Sequence, residues 1–256
     1  MNPAPTPARA PGDQPETLRA TTTRRNSSTA AAVEKIKNYI RDHDLEIGDI
    51  LPTENQLVEL LGFSRSTIRE AVRILETLDI VEVRHGYGTR VATMSLEPLV
   101  QGLVFRVTQS VKHSRRRLID VVDTREALDI SLGPTLVASP NPKALAQMQA
   151  AVTEMTERSA RGESFLAADL SFHRALLSQI HNPVVTDLIE ALWHVHMEVM
   201  PILEMDLDSA PHIQHTISAH QDLIDAIVAG DSAAYEQAVH RHYRPLREML
   251  AASADH

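Results

Sequence analysis

The sequence predicts a mainly α-helical protein in two parts, an N-terminal winged helix-turn-helix followed by an all-helical bundle. Three observations carry that expectation. Aromatics make up only 4% of the 256 residues and glycine numbers 9, a composition that disfavours sandwiches and barrels. Apolar residues recur at helical spacing, and only residues 80–92 read as two short runs of branched residues about a glycine-rich tip. Charge and histidine are also divided unevenly. Residues 1–95 carry 12 Lys+Arg against 13 Asp+Glu, residues 96–256 carry 13 against 21, and 9 of the 13 histidines lie between His173 and His242. The two parts therefore have different tasks.

At 43% apolar and 23% charged, the chain can build real cores. The absence of cysteine excludes disulfides, thiolate metal sites and thiol catalysis. No uncharged apolar run approaches the roughly 18 residues of a membrane span, and no secretory leader is evident, so a soluble, cytoplasmic protein with no membrane partner is expected.

Residues 1–29 hold five prolines and are expected to be a disordered tail, with Arg19, Arg24 and Arg25 forming either a basic arm or a solvated leader. A winged helix-turn-helix domain is set at 30–93. Val33, Ile36, Tyr39 and Ile40 mark the first helix. Thr53 and Gln56 fit a capping box opening a helix over 54–61, Gly62 permits a left-handed stop, and Ser64 can cap a third helix reaching about residue 78. Two strands about His85-Gly86-Tyr87-Gly88 form the wing. A bundle domain over 94–252 follows, with helices expected near 98–109, 115–138, 142–161, 165–179, 183–203, 211–228 and 232–250. Asn141-Pro142 and Asn182-Pro183 set a cap ahead of a proline at the first helical position, and Asp231 caps the last helix after Gly230.

On the third helix Ile68, Ala71, Val72 and Leu75 share the core face. Arg65, Arg69 and Arg73 follow at i, i+4 and i+8 along a stripe beside it, with Thr67 on the opposite flank. The planar fork of arginine matches guanine O6 and N7, or a phosphate, in a major groove. A solvated stripe paired with Glu70 and Glu76 is the alternative, and the capped helix before it and the wing after it favour double-stranded DNA. His85 and Gly86 sit at the wing tip for close backbone approach, flanked by Arg84 and Arg90 as phosphate neutralisers. The run Arg115-Arg116-Arg117 lies outside this head and reads as a solvated face.

In the bundle, Asp169 and His173 stand at i, i+4 and project from one helix face. His220 lies about ten residues before the Gly230-Asp231 turn and His242 about eleven after it, so the two face each other if the last helices form an antiparallel hairpin. Three imidazoles and a carboxylate suit a divalent transition metal, zinc first, with nickel, cobalt or manganese also compatible. His240, two residues from His242, points away from that set. Arg125 either reaches the bundle interior, where it would clamp an organic carboxylate, or pairs at the surface with Asp123 or Asp129.

Residues 51–91, LPTENQLVELLGFSRSTIREAVRILETLDIVEVRHGYGTRV, resemble the winged helix-turn-helix of the GntR family of bacterial transcription regulators. The remainder resembles the FCD effector domain of the FadR branch, through LSFHRALLSQIHNPVV over 170–185 and His220 and His242 in context. The resemblance covers about residues 33–250. It implies a homodimer on a short palindromic operator, with Arg65, Thr67, Arg69 and the His85-Gly86 pair contacting DNA. It also implies Asp169, His173, His220 and His242 as metal ligands and Arg125 near the effector. Asn182 reads either as a helix cap alone, the favoured reading, or as a cap whose side chain also borders that effector pocket. Asn55 stands where some relatives carry a DNA-contacting arginine, a departure that weakens or respecifies that contact.

The expected function is a metabolite-responsive repressor, not an enzyme, released from DNA by a small organic acid (a hydroxy, sugar or keto acid) bound beside the metal. A metal-dependent hydrolase using the Asp/His cluster is the alternative, and a purely structural metal is the third reading.

Overall fold

A computed structural model describes residues 16–203 and 210–252. The chain divides into two compact units, Met1–Pro98 and Leu99–His256.

The first unit opens with α1 (Glu16–Asp42). Of the tail expected over 1–29, residues 1–15 lie outside the described residues, and residues 16–29 are helical instead. Pro15 is the last proline before the core, and neither glycine nor proline occurs from Glu16 to Asp42, so nothing stops the packed helix from propagating back to that point. Two short helices follow, α2 (Glu54–Leu61) and α3 (Arg65–Thr77). The Thr53–Gln56 capping box is formed, and Gly62 ends α2 at φ 72°, a left-handed position that glycine adopts without strain. Ile36 and Ile40 of α1, Leu57 of α2, and Ile68, Val72 and Leu75 of α3 make a continuous core. Each such side chain contributes roughly 2 kcal/mol by leaving water.

Strands β1 (Val81–Arg84) and β2 (Gly88–Val91) pair antiparallel, with Val81 opposite Val91 and Arg84 opposite Gly88. Leu51 N–H donates to the Thr89 carbonyl at 2.8 Å and Val91 N–H to that of Asp49 at 2.9 Å, so the wing is tied to the entry of α2.

The second unit is all helical among the described residues. After α4 (Glu97–Thr108) come α5 (Val111–Ala138), α6 (Pro142–Ala160), α7 (Leu166–Leu177), α8 (Pro183–Ile202), α9 (Ala210–Ala229) and α10 (Ser232–Ala252). These match the seven helices expected from the sequence, with α5 beginning four residues earlier, at Val111. Helix α5 packs on α8 and α10, α6 on α7 and α9, and α9 on α10. Asn141 accepts from Lys143 N–H at 2.9 Å and Asp231 from Ala233 and Ala234 N–H at 3.0 Å, so the caps read from the sequence are made. Among the described residues no helix is long and apolar enough to cross a membrane.

Candidate functional site

The α3 surface is built from its cap outward. Ser64 Oγ accepts from Thr67 N–H at 3.2 Å and lies 2.8 Å from Thr67 Oγ1, which fixes the first turn and half-buries Thr67. Ile68, Ala71, Val72 and Leu75 anchor the core face, and Arg65, Arg69 and Arg73 are left exposed along a stripe beside it. Arg69 reaches Glu54 at 3.4 Å and Arg73 reaches Glu70 at 3.9 Å, pairs loose and solvated enough to exchange for a stronger partner. Glu76 does not pair with the stripe; its carboxylate accepts from Val83 N–H of the wing at 3.4 Å. His85 and Gly86 stand exposed at the tip, where Gly86 takes φ 82°. Arg90 corrects one expectation. It is half-buried and donates to the Gly48 carbonyl at 3.4 Å, bracing the loop before α2 rather than projecting as a phosphate neutraliser.

In the second unit, α7, α9 and α10 bring His173, His220 and His242 together with one ligand atom of each within 4.8 Å of the others. Asp169 Oδ1 lies 3.0 Å from His220 Nε2 and 3.8 Å from His173 Nε2. His220 Nδ1 is 2.7 Å from the Thr216 carbonyl, a contact that needs the proton on Nδ1. In the neutral ring the Nε2 lone pair then faces a carboxylate oxygen, an arrangement that a bound cation resolves. His220 Nε2 and His242 Nδ1 are buried without a hydrogen-bond partner. A second ring nitrogen given to a backbone carbonyl is how metal-ligating histidines are commonly oriented, so the donor set fits a metal ion.

Burial, helped by the Arg125 cation, pushes His173 down to about 3 against the pull of Asp169, and His242 also falls well below the ordinary range. Burial works to raise the Asp169 carboxyl, but the surrounding imidazoles outweigh it and hold the group well below the usual carboxylate range. Neutral imidazoles beside an ionised carboxylate are the protonation states that metal ligation requires.

A cavity of about 280 Å³ adjoins this cluster, with Asp169, His173 and His242 on its wall. Arg125 lines it too. It is 4% exposed, its Nε has no partner, and its guanidinium carbon lies 5.4 Å from the Tyr243 ring centroid. Asp123 is engaged by Arg247 at 2.9 Å, and Asp129 accepts from the Tyr243 hydroxyl, so the interior position of Arg125 holds and the surface pairing does not. Burial raises the Asp129 carboxyl, with Arg125 pulling against it. Asn182 is exposed and off the cavity wall; its side chain accepts from Val185 N–H at 3.4 Å, so it is a cap only, and its alternative place at the pocket is corrected. His240 points to Glu126 at 2.7 Å, away from the cluster as its spacing required.

The cavity also holds a residue that the sequence reading left unassigned. His196 is 7% exposed and lines the wall, and burial, with Arg125 adding to it, takes its imidazole down to about 3. Its signal was available in the sequence: it lies four residues from both Leu192 and Met200, on the buried face of α8.

Residues 28–91 match the family described as bacterial regulatory proteins, gntR family, and residues 120–245 match the FCD domain. The galactonate operon transcriptional repressor of Escherichia coli is 28% identical over 191 residues, 75% of this chain and 82% of that protein. The putative transcriptional regulatory protein NedR of Micromonospora viridifaciens is 30% identical over 118 residues, 46% of this chain and 83% of that protein. A solved structure titled Streptococcus agalactiae GntR superposes with a TM-score of 0.62 at 24% identity, covering 86% of this chain and 99% of that one, which supports the fold.

Proposed function

The chain belongs to the gntR family of bacterial regulatory proteins and is a DNA-binding transcription regulator, and from that premise we propose that it is a homodimeric repressor of the FadR branch. A small organic acid bound beside a metal ion would release it from a palindromic operator. The observation that carries the reading is the shared wall of one cavity, where the buried Arg125 meets Asp169, His173 and His242. The matched family and the relatives are transcription regulators, so the hydrolase alternative finds no support.

In this reading residues 30–93 are the reading domain and residues 94–252 the effector domain, acting in the cytoplasm where the operator is. Arg65, Thr67, Arg69 and Arg73 enter the major groove, and His85 with Gly86 approaches the minor groove. Asp169, His173, His220 and His242 hold the ion, zinc first with nickel, cobalt or manganese also compatible; when bound it supplies a Lewis acid to a ligand oxygen. Arg125 takes the carboxylate with two parallel N–H donors. The name of the galactonate relative supports an organic acid as the effector class. A coupling of about 1–3 kcal/mol between acid and operator is ordinary for such a switch.

The test is a footprint on DNA flanking the chain's own gene, at one fixed salt concentration because phosphate contacts are strongly salt-dependent. A protected palindrome that one acid of a panel abolishes is expected. Arg69→Ala should weaken operator binding roughly 10- to 100-fold, the loss of one bidentate base contact, while metal content stays unchanged. Equal loss of metal would overturn the division of labour between the two domains.

A further inference from the structure

One buried polar side chain on the cavity wall is used neither by the metal cluster nor by the Arg125 contact. His196 of α8 has both ring nitrogens buried and without a hydrogen-bond partner. Polar groups in that position normally find one, and a site that leaves them bare is fitted to a ligand that supplies it. Met197 and Met200 beside it on α8, and Met249 across the cavity, offer no strong donor or acceptor.

We propose that His196 is a specificity-determining residue that hydrogen-bonds a hydroxyl on the effector's carbon chain, which makes the effector a hydroxy acid and not a plain carboxylic acid. This rests on the reading of the cavity as an organic-acid pocket. The carboxylate end of such a ligand is served by Arg125. A neutral imidazole presents one N–H and one bare nitrogen, and a hydroxyl can accept from the first or donate to the second, so it suits either tautomer. A methylene in the same place suits neither and leaves His196 unpaired. The cavity, about 280 Å³ against the ~30 Å³ share of one liquid water, has room for a carbon chain beyond the carboxylate.

Trp193, the chain's single tryptophan, lines the same cavity and reports its occupancy by fluorescence. The metal-loaded full-length protein is titrated with three pairs of acids matched in carbon number: galactonate with hexanoate, glycerate with propionate, and malate with succinate. In the wild-type protein the hydroxylated member of at least one pair should bind tenfold or more tightly than its partner. His196→Leu should bring that preference to within about threefold, and His196→Gln, whose amide keeps a donor and an acceptor, should retain it. A folded His196→Leu variant that keeps the preference overturns the proposal, and so does a His196→Gln variant that loses it. If the leucine variant does not fold, the glutamine variant decides alone. Wild-type protein that binds every pair without preference overturns the role of His196 and leaves the organic-acid reading standing, whereas binding of no acid overturns both.

Discussion

Buried imidazoles shape how the second unit responds to acid. His173 and His196 titrate near 3 in the folded chain because burial penalises their charged form, whereas an unfolded chain takes up the same protons near 6.5. Below pH 6.5 the unfolded state therefore binds more protons, and stability falls as pH falls, down to about 3. Each group costs about 1.4 kcal/mol per pH unit across that window. Asp129, whose carboxyl burial raises, works in the opposite sense, from the ordinary carboxylate range upward. Metal-depleted protein should lose melting temperature steadily from pH 6.5 to 4.5, and His196→Leu should flatten that slope; an unchanged slope would show that His196 does not titrate as its burial dictates. The Asp/His cluster was legible because i, i+4 spacing and near-equal distance from the Gly230-Asp231 turn are geometric statements about helices. Asn182 stayed open between a cap and a pocket residue because capping chemistry looks the same in sequence whether or not a cavity lies beside it. His196 was passed over because a histidine on an apolar stripe declares burial without declaring a partner.

At the scale of the element, α3 and its cap were readable in full, since Ser64, the apolar face and the arginine stripe each demand the same helix. The start of α1 was not, because compositional signs of disorder in residues 1–29 competed with a helix whose stability comes from packing further along. Glycine offers a clean contrast within helices. A Cβ at Gly133 of α5 would lie 2.8 Å from Cδ1 of Tyr235 on α10, whereas one at Gly102 of α4 would meet nothing within 4 Å. Gly133→Ala should therefore destabilise by about 1–3 kcal/mol through forced repacking of α5 on α10. Gly102→Ala should stabilise by about 0.5–1 kcal/mol by favouring the helix. Thermal melting of the two variants checks both signs, and a neutral Gly133→Ala would mean that Tyr235 moves freely.

For the whole molecule, the two compact units imply two unfolding events, and an ion held at the Asp/His cluster would bear on only one of them. Calorimetry should show chelation lowering the transition of the bundle and leaving that of the winged unit in place. An ion present at a hundred times its dissociation constant contributes about 2.7 kcal/mol to the state that binds it, a shift of a few degrees. Collapse of the bundle on chelation would instead make the metal a structural element. The Arg69–Glu54 pair has a consequence for how the protein searches a chromosome. At a random stretch of duplex Arg69 gains only phosphate attraction by leaving Glu54, and the carboxylate left near the reading face is repelled by the same phosphates. In the proposed reading of α3 the guanidinium gains, at the right base, a bidentate partner that outweighs the lost pair. On that reading Glu54 would lower residence on the vast excess of wrong sites more than on the operator, leaving more of the protein free to find its target.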